Sequence, residues 1–108
     1  MKPYTILNLD KPRQLRFGMG AMIELEEITG ITIVDLRKGM TPKQCSQILW
    51  VILKQDEPEL TLEDTVKLID EYATDLTSII ETVMNTLTLA FEQDDKKRKK
   101  LIEQNPNA

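Results

Sequence analysis

Few residues in this sequence have the type and spacing to do chemistry. Cys45 is its only thiol, and a nucleophilic or ligating role would require a neighbouring base or further soft ligands. Histidine, the usual acid–base catalyst and the commonest zinc ligand, is absent from the 108 residues. Asp70 to Glu81 spans the twelve residues of a calcium loop, but Tyr72 stands where an oxygen ligand belongs and Asp75 where the sharp turn needs glycine. Gly18-Met19-Gly20 has too few glycines for a phosphate-binding loop and reads as a hinge. Lys96-Lys97-Arg98-Lys99-Lys100, behind Asp94 and Asp95, has the charge to meet nucleic acid or an anionic membrane. No aromatic residue interleaves that block to stack on bases, and cations are favoured at a helix C-terminus in any case. The chain is therefore expected to be no enzyme, with no catalytic, cofactor-binding or metal-ligating residue.

The elements that would position these residues are mostly helical. Tyr4, Ile6, Leu7 and Leu9 predict a first strand, Asp10-Lys11-Pro12 a reversal, and Arg13 to Phe17 a returning strand with Leu15 and Phe17 on one face. From Ala21 the spacing changes: Met22, Leu25 and Ile28 recur every three residues opposite Glu24, Glu26 and Glu27, and Gly30 closes the helix. Thr32 and Asp35 have capping-box spacing for a further start. Thr41-Pro42-Lys43-Gln44 caps the next helix, whose buried stripe is Cys45, Ile48, Leu49, Ile52 and Leu53; Asp56-Glu57-Pro58 ends it. Thr61 caps a stripe of Leu62, Val66, Ile69 and Ala73. Thr74 or Asp75 opens the last helix, with Leu76, Ile79, Ile80, Val83, Met84, Leu87, Ala90 and Phe91 facing inward.

The fold class that follows is mainly α, a small helical domain of about four to five helices with a short N-terminal β-hairpin. Residues 1–93 form a single compact domain on this reading, with the hairpin at about 3–17 and helices at about 19–29, 32–38, 42–55, 62–73 and 75–93. Residues 94–108 read as a charged helix end and a frayed tail, Asn105 to Ala108.

Composition narrows the function classes. The 14 basic and 18 acidic side chains give a net charge of −4, which argues against a general nucleic-acid binder. No apolar run approaches the ~20 residues that cross a bilayer, and Met1 to Asp10 alternates polar and apolar residues, so neither membrane span nor leader is expected. One cysteine permits no internal disulfide, which suits a reducing cytosol. A domain this small buries only about 60–70% of its unfolded surface, so a partner or a homo-oligomer would supplement its stability.

With catalysis set aside, apolar residues off the core stripes become the candidate binding residues. Trp50 falls among Ser46, Gln47 and Lys54 on the helical wheel, and tryptophan is enriched at binding hot spots. The near-continuous run Ile48 to Leu53 equally allows that helix to be covered on both sides. Met19 and Ile23 form a second off-stripe pair, flanked by Glu26 and Glu27. Leu89 sits opposite the stripe of the last helix, and Leu68 lies at the margin of its own. If several of these merge, an interaction surface results.

The order of segments also carries a resemblance. Leu15-Arg16-Phe17, then Leu25-Glu26-Glu27-Ile28-Thr29-Gly30, then Pro58-Glu59-Leu60-Thr61-Leu62-Glu63-Asp64 and a long final amphipathic helix resemble tail assembly chaperones of long-tailed, siphovirus-type bacteriophages and prophages of Gram-positive bacteria. The resemblance covers roughly Tyr4 to Phe91 and rests on core and cap residues. It implies a non-enzymatic protein of the bacterial host cytoplasm, absent from the mature virion. Such a protein binds the tape measure protein, keeps it soluble and helps recruit major tail tube subunits, without cofactor, stable nucleic acid or membrane. Some such chaperones also have a frameshifted long form. Two other readings stand beside it: a phage structural or connector protein, and a small nucleic-acid-associated regulator using the basic run.

Overall fold

A computed structural model of the chain describes residues 4–32, 35–36 and 38–104, with side chains described through residue 90. Strands β1 (Thr5–Asn8) and β2 (Pro12–Leu15) pair antiparallel, with Ile6 opposite Gln14 and Leu7 opposite Arg13. Among the described residues four long helices follow: α1 (Met19–Thr29), α2 (Pro42–Lys54), α3 (Leu62–Tyr72) and α4 (Leu76–Gln104). The molecule is mainly helical with an N-terminal hairpin. No helix among the described residues is long and apolar enough to cross a membrane.

Helix α2 is the centre of the packing, with α1, α3, α4 and β2 all against it. Its expected stripe is buried in full, and Val51 is buried as well, so the helix is covered on more than one side. Thr41 accepts from the Gln44 backbone N–H at 3.1 Å, and the Gln44 side chain accepts from the Thr41 N–H at 2.9 Å, which completes the capping box. Thr61 and Asp64 repeat the arrangement at α3, and Asp75 accepts from Ser78 N–H at 2.7 Å to open α4. The segment from Asp70 to Glu81 is thus helix, cap and helix.

The hairpin presents Leu7 and Leu15 inward and Ile6 and Gln14 outward, as pairing across a pleat requires. Arg13 also faces inward. Its guanidinium makes a forked pair with Asp10 and reaches Glu57 at 2.6 Å, so an 8%-exposed cation joins the hairpin turn to the connection after α2. Loss of hydration pushes the Asp10 pKa up, but the hydrogen bonds and charge of Arg13 outweigh it and hold the carboxyl below its ordinary value. Thr5 and Thr86 share a hydroxyl–hydroxyl hydrogen bond that ties β1 to α4.

The helical faces differ from expectation in three places. Ile28 is 46% exposed, because the left-handed Gly30 (φ +74°) turns the chain and Ile31 takes the buried place beyond the helix end. In α3 the inward residues are Thr65 and Ile69, and Val66 points out. Thr65 buries without penalty because its hydroxyl donates to the Thr61 carbonyl at 3.0 Å. In α4 Thr86 is buried, bonded back to Thr82, while Leu76 and Met84 are exposed.

The bounds shift less. Helix α4 runs on to Gln104 because no glycine or proline interrupts the sequence between Ala90 and Asn105. Of the helix expected over 32–38, Asp35 and Leu36 are helical, with Thr32 capping Asp35 at 3.2 Å; residues 33, 34 and 37 lie outside the described residues, as do 1–3 and the tail expected at 105–108.

Candidate functional site

Helix α1 begins at an uncapped Gly18, where backbone conformation is extended and no side chain bonds the first turn. It packs on α2 through Ala21 and Leu25. Lys54 of α2 pairs with Glu24, which also accepts from Gln55 at 2.7 Å. These hydrogen bonds hold the Glu24 carboxyl below its ordinary pKa. Glu24 is therefore committed to the α1–α2 contact and is no part of a free acidic face.

The other side of α1 is left open. Met19 is 70% exposed and Ile23 51% exposed, one turn apart on the same face. Ile23, Met22 and Glu26 line a hollow of about 90 Å³ whose floor is Phe17 and Leu25 and whose far wall is Ile31 and Leu36. That is smaller than the ~150 Å³ cavity that admits benzene, and it suits one aliphatic side chain. The turn after Gly30, capped by Thr32 and Asp35, sets the far wall. Met19 also borders a broader depression of about 630 Å³, shared with Tyr4, Gln14 and Arg16 of the hairpin and with Ile52 and Asp56 from α2 and its end. Met19 lines both hollows, and the two together are called the groove along α1 below. Tyr4 and Ile6 extend apolar surface over the outer face of the hairpin.

Of the residues singled out from sequence, the structure brings Met19, Ile23 and Glu26 together here, with Glu27 exposed beside them. Trp50 is elsewhere and otherwise engaged. Its indole N–H donates to the Leu60 carbonyl at 2.8 Å, Lys54 Nζ lies 5.0 Å from its ring centre, and the ring packs against the core. Half-buried, Trp50 fastens the α2–α3 connection and lies away from the open side of α1. Leu68 and Leu89 are half-buried on α3 and α4, and neither lines the groove. Sequence reasoning missed Tyr4, Arg16, Ile31 and Leu36 as groove residues. The alternation of β1 held the signal for Tyr4, but the facing of the hairpin could not be assigned without its register.

Burial raises the Cys45 pKa to about 11, so the thiol stays protonated. Among the described residues no group of three His, Cys, Asp or Glu side chains is placed to hold a metal ion. Comparison with protein-family models, with curated proteins and with solved structures found no match in any of the three.

Proposed function

We propose that this protein is a binding module that shields an apolar helical segment of another polypeptide in the groove along α1. The observation that carries this reading is the Met19–Ile23 ridge. Two large apolar side chains stand in water beside a hollow sized for one more, in a small domain that has every reason to bury them. Helix-in-groove docking uses this arrangement, with aliphatic anchors at helical spacing entering a shallow apolar channel. The resemblance to phage tail assembly chaperones gives the partner its identity in this proposal: the tape measure protein, kept soluble in the host cytoplasm until tail tube subunits join it. Weak single contacts suffice when many copies line one long client.

Co-expression with the tape measure protein of the same phage tests the reading. The client is expected to move from the insoluble to the soluble fraction and to co-purify with the wild-type chain. A Met19→Ser/Ile23→Ser variant is expected to keep its fold and lose capture. Each buried side chain contributes roughly 1.5–3 kcal/mol, so the pair accounts for a tenfold change or more. Unchanged client solubility, or full capture by the double variant, would refute it.

A further inference from the structure

Helix α4 is longer than the body it packs on. Its 29 residues span about 43 Å, while the molecule measures 27 and 25 Å across its two shorter axes and 54 Å along the third. The radius of gyration is 15.2 Å, against about 13 Å for a compact domain of this length. α4 packs on β1 and α2, and among the described side chains its buried positions run from Ile79 to Leu87. Past Ala90 the helix continues to Gln104, a further ~21 Å. Helices in proteins draw most of their stability from packing an amphipathic face, so an extension of this length calls for a partner.

Heptad spacing marks one face of the extension. Positions 84, 88, 91, 95, 98 and 102 follow in alternate steps of four and three and share a side of α4. Met84 and Thr88, where that side begins, are exposed, so it is turned away from the core. Further along, the positions hold Phe91, Asp95, Arg98 and Ile102, with Glu92 and Lys99 at the flank. Apolar, acid, base, apolar is its own complement when reversed. Two copies laid antiparallel about a two-fold axis between positions 96 and 97 set Phe91 opposite Ile102, Asp95 opposite Arg98 and, at the rim, Glu92 near Lys99. Laid parallel, they would set Asp95 on Asp95 and Arg98 on Arg98.

We infer that the C-terminal extension of α4 is an interaction surface for a second copy of this chain, paired antiparallel through positions 91, 95, 98 and 102. The apolar positions hold the two helices together. The Asp95–Arg98 pairs fix register and direction, as a polar residue in a coiled-coil seam does at some cost in stability. The surface lies on a different helix from the groove along α1, and the inference stands independently of docking there.

Sedimentation equilibrium of the full-length chain at ~50 mM salt, where charge pairing is weakly screened, tests it. The wild type is expected to pass from monomer to dimer with rising concentration. Asp95→Arg or Arg98→Asp alone places like charges opposite each other and should weaken the dimer about tenfold or more. The Asp95→Arg/Arg98→Asp variant keeps the composition, restores opposite charges across the two-fold axis and should recover the dimer. Pairs four apart within one helix predict the reverse, since the double exchange sets two cations at 95 and 99 and two carboxylates at 94 and 98. A wild type that stays monomeric, single variants that dimerise like it, or a double variant that stays monomeric would each overturn the inference. So would a monomer whose sedimentation changes only when duplex DNA is added, which would assign the basic run to nucleic acid.

Discussion

Replacing Trp50 by phenylalanine separates a structural anchor from a docking anchor. Phenylalanine keeps a ring on the core but cannot donate to the Leu60 carbonyl, 2.8 Å from the indole nitrogen. Losing a net hydrogen bond of this kind costs about 1 kcal/mol. The smaller ring forfeits contact worth about one buried methylene, ~0.8 kcal/mol, and a few tenths of its attraction for Lys54. The expected loss is about 2 kcal/mol, or roughly 8–16 °C in Tm for a domain of this size. Urea titration followed by circular dichroism at 222 nm reads it, since the fluorescent residue is gone, and the midpoint should fall with the slope unchanged. Client capture per folded molecule should match the wild type. A stability change under about 0.3 kcal/mol would remove Trp50 from the α2–α3 connection, and selective loss of capture would return it to the binding surface.

Two further perturbations address the frame around the groove. Gly30→Ala forces a side chain into the left-handed region and is expected to cost about 1–2 kcal/mol, read by the same titration; an unchanged midpoint would show that the turn walling the hollow needs no special backbone. The carboxyls of Asp10 and Glu24 have folded pKa values below their ordinary 3.8 and 4.5, so the unfolded chain takes up protons first as pH falls. Stability they contribute is complete above about pH 5 and declines as pH drops through the lowered values, and Glu24→Gln should cost about 1 kcal/mol at pH 7 and flatten that decline. An unaltered acid limb in Glu24→Gln would contradict the Lys54 pairing.

Where sequence anticipated structure, the signal was local. Thr41-Pro42-Gln44 and Thr61-Asp64 are complete caps within four residues, and α2 lines its face with uninterrupted aliphatics, so both helices could be placed with their inward sides. The face of α3 could not. Its inward Thr65 reads as polar, and only the bond from its own hydroxyl to the Thr61 carbonyl lets it displace Val66 from the interior. Met19 and Ile23 were legible as surplus because Glu26 and Glu27 mark the same side as wet. For Trp50 the sequence left a free and a covered place open, because its partner, the Leu60 carbonyl, lies on a connection whose path no periodicity describes. Arg13 gave no sign of its tie to Glu57, 44 residues away, since pairing over that range depends on how hairpin and connection meet.

The hydroxyl pair of Thr5 and Thr86 joins positions 81 residues apart, and β1 packs directly on α4. Closing so long a loop is entropically slow and can occur only after the last helix has been synthesised. During synthesis β1 therefore stands without its α4 partner, and Leu7 without that cover, until the segment around Thr86 has been added. Moving the hairpin to the C-terminus by circular permutation would shorten that delay, with faster refolding as the visible sign.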